Sequence, residues 1–240
     1  MVRWLSGAIL AAGHGQRLRP ASGAVPKPLI ELGGQPLLLR QIDVLIKAGM
    51  SPIHTIVNSE THRLMNQRGV LPPNGVELLV CDTANSMESL LKLGEHIIPG
   101  LFLLMTVDAV LYAADIRNFV TNATKIVANP RLRLDGVVGV VKWRGDAKPL
   151  FVGMADDGLI TAFGERQSST VTAGVYLFST AIFLHAAEAR MRGLNAMRRF
   201  LAMLLEKKRR FAALEVPRAI DIDDAADLKA AHEMLARESE

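Results

Sequence analysis

Apolar and polar positions follow two different periods along this 240-residue chain. In the first half, short apolar runs with β-branched character read as strands at Gly7 to Ala12, Ile53 to Val57, Val76 to Cys81 and Leu101 to Val107. Between them, segments of helical period predict helices at Pro36 to Ala48, His62 to Gln67, Ser86 to Ile97 and Ala113 to Val127. Strands that take turns with helices imply a parallel sheet covered on both faces, so this half reads as a mononucleotide-binding β/α unit. After about Asn129 the texture changes. "DGVVGVVKW", "PLFVGMADDGLITAFGE" and "TVTAGVYLFS" read as strands joined by turns such as Asp156-Asp157-Gly158. Helices follow from Ala181 to Met191 and Asn195 to Lys207, then a strand near Ala212 to Val216 and a closing helix from Asp224 to Arg237. No linker rich in Pro, Gly or Ser divides the chain and no repeat is seen, which predicts one continuous domain, 1–240, in two halves, residues 1–128 and 129–240.

Composition narrows the class without naming it. Hydrophobic residues make up 50% of the chain, enough for a sizeable core. The net charge of +4 permits attraction to phosphates, but Lys and Arg are scattered, which argues against a nucleic-acid partner. The single cysteine, Cys81, excludes an intramolecular disulfide and a Cys-based zinc cluster, and fits a cytoplasmic location. "MVRWLSGAILAAG" has some signal-peptide character, but its apolar run is short and leads straight into a glycine loop that cleavage would strand. No stretch has the apolar length of a membrane span, because Asp108 interrupts "LFLLMTVDAVLYAA".

The candidate chemistry starts after the first strand, in "AILAAGHGQRLRPASGAVPKPLIELGGQPLL". A loop leaving the C-terminal end of a parallel strand is where an open α/β sheet holds its ligand. Gly13 and Gly15 let backbone N–H groups turn toward an anion with no Cβ in the way. Arg17 and Lys27 add positive charge, one as a fork and one as a point charge, and Pro26 and Pro28 restrict the backbone around Lys27. The loop is neither a dinucleotide fingerprint, which needs a glycine where Leu18 stands, nor a P-loop, which needs Gly-Lys-Ser/Thr.

"LAAGHGQRLRP" followed by "PKPLIELGGQPLL" resembles the signature of the nucleotidyltransferases that join nucleoside triphosphates to sugar phosphates or related phosphomonoesters, a group including phosphocholine cytidylyltransferase-like and MobA-like enzymes. Weaker similarity covers nearly the whole chain: "TVDAVL" resembles the family's metal-binding aspartate segment, "TAGVYLFS" its Asn-Ala-Gly-(Ile/Val)-Tyr strand, and "AIDIDDAADLKAA" its closing strand and helix. The resemblance implies an α/β, three-layer, glycosyltransferase-A-like (Rossmann-like) fold with a mixed, mostly parallel sheet flanked by helices. It also implies Mg2+-dependent nucleotidyl transfer. By the same resemblance Ala11, Ala12, Gly13, Gly15, Arg17 and Lys27 would hold the nucleotide, with Arg17, Lys27 and Asp108 as the catalytic set.

A carboxylate at the end of the apolar run "LFLLMTVD" is costly unless hydrated or paired, and Mg2+ is a natural partner because it takes one or two carboxylates plus substrate phosphates. The competing reading of Asp108 is a cap on the following turn or helix. In "DIDD", Asp221 and Asp223 share a side if the stretch is extended, while Asp224 is suited to cap the helix from Ala225 and Asp227 to favour its first turn. The resemblance implies metal contact at Asp221, Asp223 or both.

The segment "CDTANSMESLLKLGEH" opens a helix where family members contact the nucleobase, and "NSMESL" is similar to the cytidylyltransferases. Asn85, Ser86 and Ser89 are therefore candidate base contacts, with CTP preferred to UTP; an N-cap role for Asn85 or Ser86 is the alternative. Glu165 and Gly174 resemble positions around the acceptor, although Thr172 and Arg166 stand where the family usually has Asn and Lys. Lys142 and Lys148 are either acceptor-phosphate contacts or solvated lysines. "KKRRF" reads as the basic end of a helix, and the six histidines show no paired metal-ligand spacing. The expected partners are a nucleoside triphosphate and a phosphomonoester acceptor, with homo-oligomerisation left open. A molybdenum-cofactor-type nucleotidyltransferase and a non-catalytic nucleotide-sugar sensor are the rival readings.

Overall fold

The computed structural model describes residues 5–13, 25–145, 149–164 and 168–237. Seven strands form the central sheet: β1 (Leu5–Ala11), β2 (Met50–Val57), β3 (Val76–Val80), β4 (Leu101–Thr106), β5 (Gly136–Lys142), β6 (Thr170–Ser179) and β7 (Phe211–Glu215). Their spatial order is β7-β5-β6-β4-β1-β2-β3. β1 pairs in parallel with both β2 and β4, β2 with β3, and β5 with β7, whereas β6 runs antiparallel to both β4 and β5. The mixed, mostly parallel sheet expected from the sequence is therefore present. The chain winds outward from β1 to β3, then returns to β1's other side at β4. Such a reversal opens a crevice beyond the carboxyl ends of the two strands.

Among the described residues, seven α-helices cover the sheet: α1 (Leu37–Lys47), α2 (Ser59–Arg68), α3 (Ser86–Gly94), α4 (Ala113–Val127), α5 (Ala186–Met191), α6 (Met197–Glu206) and α7 (Ala225–Ala236). Strand periodicity divides the core into two layers. Ile9, Leu103 and Met105 pack with Leu38, Ile42, Ile116, Phe119 and Met234 from α1, α4 and α7. Their strand neighbours Ala8, Phe102 and Leu104 pack on the other face with Leu90, Phe200, Leu201 and Leu204 from α3 and α6.

Several boundaries differ from the sequence reading for identifiable reasons. α2 begins at Ser59 rather than near His62, because the Asn58 side chain caps it by accepting from the Thr61 N–H at 2.8 Å. Thr180–His185 is a 3-10 segment leading into α5 rather than the first turns of one α-helix. β4 stops at Thr106, so Asp108 lies in a turn before a short strand, Ala109–Val110, not at the strand's end. The Asp156-Asp157-Gly158 turn is where expected: it joins the hairpin strands Val152–Met154 and Ile160–Phe163, and Gly158 has φ +79°.

Candidate active site

A cleft of about 670 Å³ opens at the carboxyl ends of β1 and β4, within the range of small-molecule sites. Its lining comes from both halves of the chain. Leu10, Ala12, Gly13 and Lys27 meet Thr83, Asn85, Ser86 and Ser89 on the first-half side, and Thr172, Gly174, Tyr176 and Arg198 face them from the second. Asp108, Asp221 and Asp223 also line it.

Lys27 opens a short 3-10 turn, Lys27–Leu29, directly after Pro26. Its side chain is buried and its ammonium donates to Asp108 Oδ2 at 3.1 Å and to Asp223 Oδ1 at 3.3 Å. Burial, the largest single influence, disfavours the charged form, but Asp108, Asp221 and Asp223 together outweigh it and raise the Lys27 pKa above its ordinary value. One ammonium thus sits among three carboxylates.

Local backbone pairing brings those carboxylates together. The short strand Ile220–Asp221 runs antiparallel to Ala109–Val110, with Asp221 opposite Ala109, and the Ile222 N–H donates to the Asp108 carbonyl at 3.1 Å. Ile222 is fully buried between the two outward aspartates, the alternation expected of an extended "DID". Asp224 caps α7 in a capping box with Asp227, whose carboxylate also accepts from the Asp223 N–H at 2.9 Å. Asp108 does not cap the next helix, which starts at Ala113 with Tyr112 at its N-cap position; it lies in the turn that follows β4.

The hard oxygen donors of Asp108, Asp221 and Asp223, already arranged around a cation, suit Mg2+. Among the described residues no group of three or more His, Cys, Asp or Glu could by itself hold a metal ion, so Mg2+ here would need substrate oxygens in addition to these carboxylates.

On the first-half side, a Cβ built on Gly13 would meet none of the described residues within 4 Å. Ala11 does not line the cleft: it is buried in the opposite core layer, as strand alternation from Ala12 dictates. Gly15 and Arg17 lie outside the described residues. Asn85 does act as a cap, its oxygen accepting from Met87 and Glu88 N–H at 3.0 and 3.1 Å, yet it also lines the cleft. Ser86 Oγ accepts from the Met197 N–H at 3.0 Å and so ties α3 to α6 across the cleft. Ser89 Oγ is 2.6 Å from Thr83 Oγ1, a hydroxyl pair facing the same space.

On the second-half side, Gly174 sits in a bulge of β6 with φ +70°. A Cβ there would collide with Ala109 Cβ and lie 2.8 Å from Thr106 Oγ1, so the glycine permits β6 to close on the Asp108 turn. Glu165, Arg166 and Lys148 lie outside the described residues, and Lys142 is exposed and does not line the cleft. Thr172 hydrogen-bonds the Tyr176 side chain; burial, then the nearby Asp221 and Asp108, push the Tyr176 phenol up to about 12.

Sequence reasoning missed several residues here. Asn58 donates from Nδ2 to the Ala12 carbonyl at 3.1 Å and so steadies the start of the glycine loop. Thr83, Tyr176 and Arg198 line the cleft. Asn58 had a readable signal, an Asn immediately before a helical period. The others are brought together only by tertiary structure.

A family model described as a MobA-like NTP transferase domain matches residues 7–207. The chain belongs to this family. A curated relative, the mannose-1-phosphate guanylyltransferase catalytic subunit beta of Drosophila pseudoobscura pseudoobscura, is 28% identical over 188 residues, covering 72% of this chain. The chain spans about half, 48%, of that relative's length. Among solved structures, the inositol-1-phosphate CTP transferase from T. maritima matches with a TM-score of 0.78 at 17% identity, covering 98% of this chain and 96% of that one. A UDP-glucose pyrophosphorylase complexed with UDP-glucose matches with a TM-score of 0.75 at 14% identity, covering 98% and 100%. These two likenesses concern the fold, the three-layer arrangement of this family of nucleotidyltransferases.

Proposed function

We propose that this chain is a sugar-phosphate or alcohol-phosphate nucleotidyltransferase. The observation that carries the reading is Lys27 bonded to Asp108 and Asp223 on the floor of a cleft beyond the carboxyl ends of β1 and β4. An acceptor phosphate oxygen attacks the α-phosphorus of the nucleoside triphosphate, a new P–O bond forms, and the bond to pyrophosphate breaks in line. A phosphomonoester with a second pKa of about 6 is already mostly dianionic at pH 7, so positioning and charge neutralisation matter more than a strong base. Lys27 serves both, turning from the carboxylates to the phosphates as substrate enters. Arg17 and the amides around Gly13 and Gly15 hold the triphosphate. When bound, Mg2+ at Asp108 with Asp221, Asp223 or both neutralises charge developing on the phosphates.

In this reading residues 1–128 bind the donor and residues 129–240 the acceptor, within one domain. Asn85, Ser86 and Ser89 face the base, and Gly174 with Glu165 borders the acceptor. CTP, then UTP, is the favoured donor, supported by the similarity of "NSMESL" to cytidylyltransferases. GTP is a second reading, favoured by the guanylyltransferase relative. A cytoplasmic setting is supported by the lone free thiol of Cys81. The test is Mg2+-dependent pyrophosphate release with each nucleoside triphosphate against sugar 1-phosphates and alcohol phosphates. Release with one matched pair is the expected result; tight nucleotide binding with no release across the panel would replace the transferase with a sensing role.

A further inference from the structure

Gln41 is completely buried, in an α1 whose neighbouring inward positions, Leu37, Leu38, Ile42 and Leu45, are all aliphatic. A primary amide in such a place is costly unless it is hydrogen-bonded; both of its hydrogens are used, while Oε1 has no hydrogen-bond partner among the described residues. Nε2 donates to the Val107 carbonyl at 3.2 Å and to the Ala109 carbonyl at 2.6 Å, the two carbonyls that flank Asp108. The preceding residue, Arg40, donates from Nη2 to the Leu111 carbonyl at 2.8 Å. α1 therefore grips alternate carbonyls of one short segment.

The intervening carbonyl, that of Asp108 itself, points the other way and accepts from the Ile222 N–H. The backbone of Asp108 is consequently held from both sides. With the peptide planes on either side fixed, the Cα–Cβ bond of Asp108 has little freedom, and its carboxylate is directed at Lys27 and the cleft.

We propose that Gln41 is a positioning residue for the Asp108 carboxylate, acting through the two flanking carbonyls without touching substrate. The inference rests on the reading of Asp108 as a metal-holding carboxylate. If it is correct, loss of the amide loosens the metal site before it affects nucleotide binding.

The test compares Gln41→Met, Gln41→Glu and Asp108→Asn with the wild-type full chain. Mn2+ binding is read directly by electron paramagnetic resonance in the presence of nucleotide, alongside kcat and KM. Gln41→Met keeps volume and removes the donors; Mn2+ affinity and kcat should each fall by about 10-fold to 100-fold, as for other groups that orient a metal ligand. KM for the nucleotide at saturating Mn2+ should stay within about 3-fold of wild type, since uniform binding is untouched. Gln41→Glu sets a carboxylate against two carbonyls; its deficit should shrink as pH falls, because the introduced side chain, once protonated, again donates to one of them. If one variant fails to fold, the other carries the same measurement. A folded Gln41 variant with wild-type Mn2+ affinity, whatever its turnover, would overturn the positioning role. Retained Mn2+ binding and turnover in Asp108→Asn would instead overturn the reading of Asp108, and the inference with it.

Discussion

Replacing Lys27 by methionine tests the charge balance of the site without a substrate. In the wild type one ammonium compensates three carboxylates, with the Lys27 side chain 10% exposed and those of Asp108 and Asp223 26% and 18%. Removing one partner of a buried pair costs about 3–5 kcal/mol, because the remaining charge is left uncompensated. Here Asp108 and Asp223 keep some contact with water and Asp221 is exposed, which screens their repulsion, so the expected loss is about 2–3 kcal/mol. At about 2–4 °C per kcal/mol for a chain of this size, the melting temperature should drop by about 4–12 °C in EDTA. Mg2+ can then occupy the centre that the ammonium vacated. At about 100 times its dissociation constant it would return about 2.7 kcal/mol to the variant. Wild-type protein should gain less, because Lys27 already fills that place. The assay is thermal unfolding of both proteins in EDTA and across a Mg2+ titration, with no nucleotide. Equal melting temperatures in EDTA, or identical Mg2+ shifts in both proteins, would refute the view that Lys27 stands in for a divalent cation.

Other perturbations separate the parts of the cleft. Asp108→Asn should lose about 10²-fold to 10³-fold in kcat while melting near wild type, since it removes one of three like charges; steady-state kinetics and a melting curve check both halves. Gly174→Ala should destabilise by about 1–3 kcal/mol and depress turnover, because the new Cβ strains the bulge and pushes on Ala109, next to Asp108; urea unfolding and kinetics measure it. Asn85→Ala should cost about 0.5–2 kcal/mol through loss of the α3 cap and raise KM for the nucleotide more than it lowers kcat. Lys27, whose pKa in the folded state is raised above 10.5, contributes stability that is complete below that value and lost as pH rises through the higher folded value. Wild type should therefore lose stability above about pH 10.5 with a steeper alkaline limb than Lys27→Met, as read from urea midpoints across that range.

The side of the cleft proposed to hold the donor was legible in the sequence because it is local. Gly13 and Lys27 belong to one connection after β1, and the alternation of Asp221, Ile222 and Asp223 follows from strand geometry alone. Asp224 as the α7 cap needed only the next few residues to be recognised. Errors arose where a side chain overrode periodicity, as Asn58 does by starting α2 early. The extent of β4 was also misread: apolar residues continue past Thr106, but the backbone turns at Val107 and Asp108 to meet the Ile220–Asp221 strand more than a hundred residues downstream. Gln41 left no signal at all, since a glutamine within a helical period reads as a solvent-facing position until the Asp108 turn is seen packed against it.

The opposite side of the cleft, proposed to hold the acceptor, was less legible because of topology. Strand order places β6, antiparallel, between β4 and β5, so its bulge at Gly174 closes against the Asp108 turn. Thr172 and Tyr176 reach the cleft through that bulge, while Arg198 arrives from α6, which is moored to α3 by the Met197 N–H on Ser86. Thr172, Gly174 and Tyr176 lie close together on β6, but they and Arg198 are far in sequence from Gly13, Lys27 and Asp108. A nucleoside triphosphate can be gripped by one loop and one strand end, but a second substrate must be delivered in line to the same phosphorus, from the other side of the cleft. In the proposed reaction that requirement would place acceptor recognition on segments the fold brings in from far along the chain. A single sequence would then announce the donor chemistry long before it says which phosphate receives the nucleotide.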